Sequence, residues 1–260
     1  MSAAFVRAMS SEWLKRRRSL TTQLVIGAAA FVPGIICLSR FRRPDAVAIV
    51  YHAPEFWTLL WRQAWESMAL MVLPLSLMLM VSLITQIEDR NNGWKQVHAA
   101  PLSLPDIFFA KLAVILVLGG ALVALHTASL YLAGVVPPLL LPGIPMPARA
   151  FPFASFMRRN VDFLVDTSPI VAIQYALALR FRTFVAPLAI GIALWILSIG
   201  TISWSYNFLI PYSYAGLDYL SIEYHRPLPM PAAPRMIAGG CFFVCTLAGF
   251  FVYRSRRDKG

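Results

Sequence analysis

Apolar residues run through this chain in long blocks, and polar residues are confined to the gaps between them. Ser67 to Ile87 holds no charged residue, and neither does Leu112 to Ala148. A hydrocarbon core about 30 Å thick needs roughly 20 helical residues to cross it. On that ruler six blocks qualify: 20–39, 67–87, 107–136, 163–179, 183–204 and 236–253. The blocks are continuous and do not alternate every second residue, which predicts helices and not the strands of a barrel. The expected fold is an all-α integral membrane protein with six transmembrane helices, one transmembrane domain over residues 1–260. The third block is long enough to tilt, and the fourth is short and carries Asp166. Pro33, Pro74, Pro169 and Pro187 lie inside blocks and are expected to kink them.

The edges of the blocks carry finer patterns. Residues 4–18 place Phe5, Met9 and Trp13 on one helical face and Arg7, Ser11 and Lys15 on the other, with Glu12 beside them. That pattern predicts an N-terminal amphipathic helix lying in the membrane interface. Trp57, Trp61 and Trp65 recur every four residues and predict a helix at headgroup level. "LSLPDI" predicts a helix start with Ser103 as N-cap, Asp106 three residues on, and Leu102 and Ile107 as a hydrophobic staple. Asp162 and Asp166 are expected near the N-terminal end of the fourth helix, where the helix dipole favours acids. Residues 205–235 combine five tyrosines with "RPLPMPAAP" and read as an amphipathic, proline-punctuated segment.

Composition agrees with the block pattern. The chain is 58% hydrophobic and only 13% charged, against about 25% charged in an ordinary soluble domain. The net charge of +11 would suit a nucleic-acid partner, but the basic residues cluster beside apolar spans, which is the mark of membrane orientation. With the N-terminus inside, the cytoplasmic pieces 1–19, 88–111, 180–182 and 254–260 hold 14 of the 23 basic residues, including all four lysines. Both termini are therefore expected in the cytoplasm. The run "KRRR" precedes about 20 apolar residues with no A-x-A cleavage site, so the first span reads as uncleaved.

Catalytic machinery is scarce. There is no GxxxxGK[ST], and no lysine follows a glycine, so the chain cannot cradle nucleotide phosphates in a P-loop. HExxH and GxSxG are absent too. Cys37, Cys241 and Cys245 form no CxxC and read as small packing residues. No metal site and no cofactor is expected. Ionisable residues in or near the spans are the remaining candidates, because burying them is expensive. They are Glu66, His126, Asp162 and Asp166, with the three acids expected near the outer interface and His126 deep in the third span. A neutral His126 bonded to a neighbouring helix is the ordinary explanation of that residue. Gly120, Ala124 and Ala128 recur every four residues and suggest a close helix–helix contact.

Three stretches carry a family resemblance: "SEWLKRRRS" before the first span, "EDRNNGWKQVHAAPLSLPDIFFAK" after the second, and "AIQYALALRFRTFVAPLAIGIALWI" across the fourth and fifth. With six spans, the order of features resembles the permease subunit of type-two ABC exporters. The nearest likeness is to the branch that includes lantibiotic-immunity and bacitracin-resistance permeases. The resemblance covers nearly the whole chain. It implies a multi-pass protein of the bacterial cell (inner) membrane that pairs with a second permease, identical or paralogous, and with two copies of a cytoplasmic ABC ATPase. ATP and Mg²⁺ would sit on that partner, and the substrate would be an amphipathic peptide antibiotic or lipid-like molecule expelled from the membrane. The segment between the second and third spans would be the ATPase-coupling helix. There Trp94, Val97 and His98 share one face between Gly93 and Pro101, and Glu88, Asp89, Arg90 and Lys95 offer polar contacts. Glu88 and Asp89 sit at a helix C-terminus, where the dipole disfavours acids by about 0.3–1 kcal/mol each.

Two other readings compete. One is an intramembrane enzyme built on Asp162, Asp166 and His126, which requires those groups to converge. The other is a channel or assembly factor that needs no nucleotide.

Overall fold

Prolines inside membrane helices pose the main local problem of this sequence, because each removes one backbone N–H and orphans the carbonyl four residues earlier. The computed structural model describes residues 3–16, 19–42, 44–90, 103–181, 183–224 and 234–257, and shows how the chain solves it. The described residues are helical with short connections. The order is α1 (Ala3–Arg16), α2 (Thr21–Arg42), α3 (Pro44–Tyr51), α4 (Phe56–Ser67), a π-helical turn (Met68–Val72), α5 (Leu73–Arg90), α6 (Leu104–Leu140), α7 (Phe153–Arg180), α8 (Val185–Gly200), α9 (Tyr214–Tyr224) and α10 (Pro234–Arg257). Two 3₁₀ turns, Asn207–Leu209 and Pro211–Ser213, lie between α8 and α9.

Five helical stretches are long and apolar enough to cross a membrane: Thr21–Arg42, Phe56–Ile87, Leu104–Leu140, Phe153–Arg180 and Arg235–Ser255. The expected fifth span is helical only over Val185–Gly200, 16 residues, or about 24 Å at 1.5 Å per residue. The outward faces of α2 (Ile26, Phe31, Ile35, Leu38) and α10 (Phe243, Val244, Leu247, Phe251) are exposed and apolar, as a lipid-facing surface requires. Inside, α7 packs along α10 and α5, and α6 packs along α2 and α1.

Five orphaned carbonyls are met by named donors. Pro33 frees Ala29 O, which His126 Nδ1 approaches at 3.1 Å from α6. Pro74 frees Leu70 O, taken by Trp195 Nε1 of α8 at 2.8 Å. Pro137 and Pro138 free Ala133 O and Gly134 O. Arg40 of α2 donates to the first at 3.0 Å and the Tyr51 hydroxyl to the second at 2.7 Å, while Arg40 also donates to Tyr51 at 2.8 Å. Pro169 frees Val165 O, to which Ser168 donates at 2.7 Å. With no water to satisfy a carbonyl in hydrocarbon, these bonds let α6 keep a Pro–Pro pair and still run for 37 residues. Four of the five also tie one helix to another.

Several expectations change. The three tryptophans are buried, Trp57 at 5%, Trp61 at 2% and Trp65 at 0% exposure, so the stripe faces the protein core and not the headgroups. Continuity with α5 explains it: the π-turn carries α4 directly into the second span, and the stripe follows that helix inward. The fourth helix begins at Phe153, ten residues earlier than expected. Asp162 and Asp166 therefore lie more than two turns inside it, beyond the reach of its N-terminal dipole. Ala124 and Ala128 are exposed, and a Cβ on Gly120 would touch nothing within 4 Å. The close approach in α6 is at Gly134, where a Cβ would run into the Trp57 ring.

Candidate functional site

The N-terminal helix supplies the first polar site. Trp13 and Met9 of α1 pack on the core, Phe5 is half-buried, and Arg7 is exposed, so the amphipathic pattern directs its apolar edge inward. Between them Glu12 is buried at 5% exposure. Its Oε2 lies 2.9 Å from Lys111 Nζ, and its Oε1 meets Lys15 one turn on. Lys111 is itself only 2% exposed. Removing both charges from water is costly unless each meets an opposite charge, so this ion pair fixes α1 against the second turn of α6. Arg16 lies 3.9 Å over the Trp13 ring and adds a cation–π contact. Lys111 was not among the candidate residues. Its signal in the sequence was a single lysine immediately before the uncharged run of the third span.

The Ser103 cap at the α6 end of this site is built as the sequence predicts, while Leu102 of the expected staple lies outside the described residues. Ser103 caps the helix, accepting from Asp106 N at 3.2 Å and donating to Asp106 Oδ2 at 2.6 Å. α5 remains helical through Arg90. The side chains of Glu88, Asp89 and Arg90 lie outside the described residues, as do Gly93, Trp94, Lys95, Val97, His98 and Pro101. The described helices nevertheless bracket that segment: α5 leads into it, α6 leads out, and α1 is fastened to α6 by Glu12.

The intramembrane candidates separate. His126 is fully buried, bonds to α2, and stands edge-on to Trp65 with centroids 5.5 Å apart. A carbonyl only accepts, so Nδ1 carries the proton and is accounted for as the partner of Ala29 O, while Nε2 is buried with no hydrogen-bond partner among the described residues. Glu66 is exposed. Asp162 pairs with Arg235 of α10 at 2.9 Å, and Arg235 also reaches Asp218 of α9 at 3.5 Å. Burial pushes the Asp218 carboxyl above the usual carboxylate range, and Arg235 pulls it partly back. Asp166, expected at a water-facing edge, is fully buried instead, and among the described residues neither carboxylate oxygen has a hydrogen-bond partner. The aspartates face α9 and α10 while His126 faces α2, so the trio that an intramembrane enzyme would need is not brought together. Asp218 and Arg235 were not among the candidates: Asp218 lies in the tyrosine-rich half of a segment read as amphipathic, and Arg235 stands at the edge of the sixth apolar block.

The Sγ atoms of Cys241 and Cys245 are 3.9 Å apart on α10 and are free thiols. Among the described residues no group of three or more His, Cys, Asp or Glu side chains is placed to hold a metal ion. A family model described as ABC-2 family transporter protein matches residues 8–198. No curated protein matches the chain.

Proposed function

The chain belongs to the ABC-2 transporter family, whose model spans most of its length, and from that premise we propose that it is the permease of an ATP-driven exporter. The family's members are multi-pass membrane components of transporters, generally non-catalytic, and membership implies an ABC ATPase partner. The finer reading is ours. Both termini lie in the cytoplasm, the chain crosses a bacterial cell membrane six times with α8 as its short fifth span, and two permeases pair above two ATPases. The ATPases carry ATP and Mg²⁺. Force enters through residues 88–101, which seat on the ATPase.

The observation that carries this is the buried Glu12–Lys111 pair. A leader helix that merely floated on the membrane would not need a desolvated ion pair holding it to a span. Fixed to α6, α1 moves with the helix that leaves the coupling segment, so a push on residues 88–101 reaches α1 and α6 as one unit. The substrate is an amphipathic or lipid-like molecule, in keeping with the likeness to the lantibiotic-immunity and bacitracin-resistance branch and with the apolar outward faces of α2 and α10. Purification of the tagged chain from its native membrane in mild detergent tests the assembly. An ABC ATPase band, with one or two permease bands, is expected. A chain that purifies alone under conditions where it stays folded, and that conducts solute passively in liposomes, would replace this reading with a channel.

A further inference from the structure

Cys241 and Cys245 stand one turn apart on α10 with their Sγ atoms 3.9 Å from each other, and both are free thiols. The strip of helix they occupy is a border. Ala238, Thr246 and Gly249 lie on the buried side, with Gly249 close against Ala176 of α7. Phe243 and Val244 lie on the other side and are exposed. Both cysteines are half-buried between the two. Gly239 and Gly240 keep the approach clear: each is exposed, and a Cβ on either would touch nothing within 4 Å. Cys241 comes seven residues after the start of α10 at Pro234, about 10 Å along the helix. The pair is therefore shallow and reached from the lipid-facing side.

Two thiols at this spacing restrict what can bridge them. A single atom bonded to both sulfurs at about 2.3 Å, the length of a zinc–thiolate bond, subtends about 115° across the 3.9 Å gap. A linear centre such as copper(I) needs the sulfurs about 4.6 Å apart on the same bond length, and its dithiolate keeps a negative charge that an apolar setting penalises. Zinc asks for four ligands, and among the described residues no group of three or more His, Cys, Asp or Glu is placed to supply them. What fits is a bent, sulfur-seeking centre with two exchangeable positions. Trivalent arsenic carrying one organic group is such a centre, and soft thiolates suit it. Its dithiol adduct is neutral, as a half-buried apolar border requires.

We propose that Cys241 and Cys245 form a binding site for trivalent organoarsenicals, R–As(OH)₂. At each sulfur an As–O bond breaks and an As–S bond forms, and the thiol proton leaves with the oxygen as water. Arsenic stays trivalent, so no oxidant or reductant takes part. The clear side over Gly239 and Gly240 leaves room for the organic group. Capture closes a covalent bridge across one turn of α10. It involves neither nucleotide nor ATPase, so it stands or falls apart from the exporter reading.

The test treats the full chain in lipid nanodiscs with phenylarsine oxide, which hydrates to this form, and reads the product by intact-protein mass spectrometry. One phenylarsenic group per chain is expected to survive an excess of β-mercaptoethanol and to be removed by the dithiol dimercaptopropanol. Cys241→Ser and Cys245→Ser each leave one sulfur and are expected to raise the concentration for half-maximal retained labelling at least tenfold. Either serves if the other misfolds. Cys37→Ser, which removes a free thiol on α2, is expected to label as the unaltered chain does. No retained label on the unaltered chain, or undiminished label on folded Cys241→Ser or Cys245→Ser protein, would overturn the assignment.

Discussion

His126→Phe examines whether this deep histidine is a functional group or a structural bond. The variant keeps an aromatic ring against Trp65 but leaves Ala29 O with neither a side-chain donor nor, because residue 33 is proline, a backbone one. An orphaned buried carbonyl costs about 1–3 kcal/mol, whereas side-chain bonds between membrane helices average about 0.6 kcal/mol. About 1 kcal/mol is the reasonable figure here, because the proline denies Ala29 O its helical partner in the unfolded membrane state as well. In a chain of this size that corresponds to about 2–4 °C in the thermal transition. Pro33→Ala restores the N–H, so in that background the bond to His126 becomes dispensable. The double-mutant cycle isolates the bond from any misfit of the larger ring, which is common to both backgrounds. Reversible unfolding in mixed micelles, followed by tryptophan fluorescence, reads all four proteins. A coupling of about 1 kcal/mol is expected. Equal cost of His126→Phe in both backgrounds would refute the carbonyl-partner role, and loss of transport with no loss of stability would return His126 to the list of functional groups.

Glu12→Gln withdraws the carboxylate from Lys111 Nζ and is expected to cost about 1.5–3 kcal/mol in the same assay, part of which Lys111→Met in the same chain recovers. Gly134→Ala drives a Cβ into the Trp57 ring, while Gly120→Ala meets nothing within 4 Å. The first is therefore expected to destabilise by about 1–3 kcal/mol and the second to be neutral or stabilising by up to about 1 kcal/mol. Equal thermal transitions for the two alanine variants would show that α4 does not pack against α6 at that glycine.

The sequence made the helical membrane class legible because a 20-residue apolar block has no other economical solution. It also revealed the start of α6, since a Ser103–Asp106 cap is a local interaction. The long-range pairings were not legible. Pro33 announced an orphaned carbonyl, but nothing in the neighbouring residues said that His126, 97 positions from Ala29, would meet it. Arg40 and Tyr51 read as an outer loop, yet they serve the Pro137–Pro138 pair. The tryptophan stripe misled for a related reason: period-four aromatics suit a headgroup belt and a helical core equally, and only continuity with α5 decides. The start of α7 was hidden by Arg158, Arg159, Asn160 and Asp162, which look like a water-filled gap. In the fold Asn160 donates to Thr127 at 2.6 Å, Arg159 covers Trp61, and Asp162 holds Arg235, so a polar sequence sustains a packed helix.

Force transmission through residues 88–101 is tested most directly by ATP hydrolysis and substrate efflux measured together, on the reconstituted complex carrying Trp94→Ala or Glu88→Arg. Hydrolysis that continues while efflux falls at least tenfold, in protein whose spans remain folded, is the predicted result. Efflux at the unaltered rate in both variants, still driven by ATP, would contradict it.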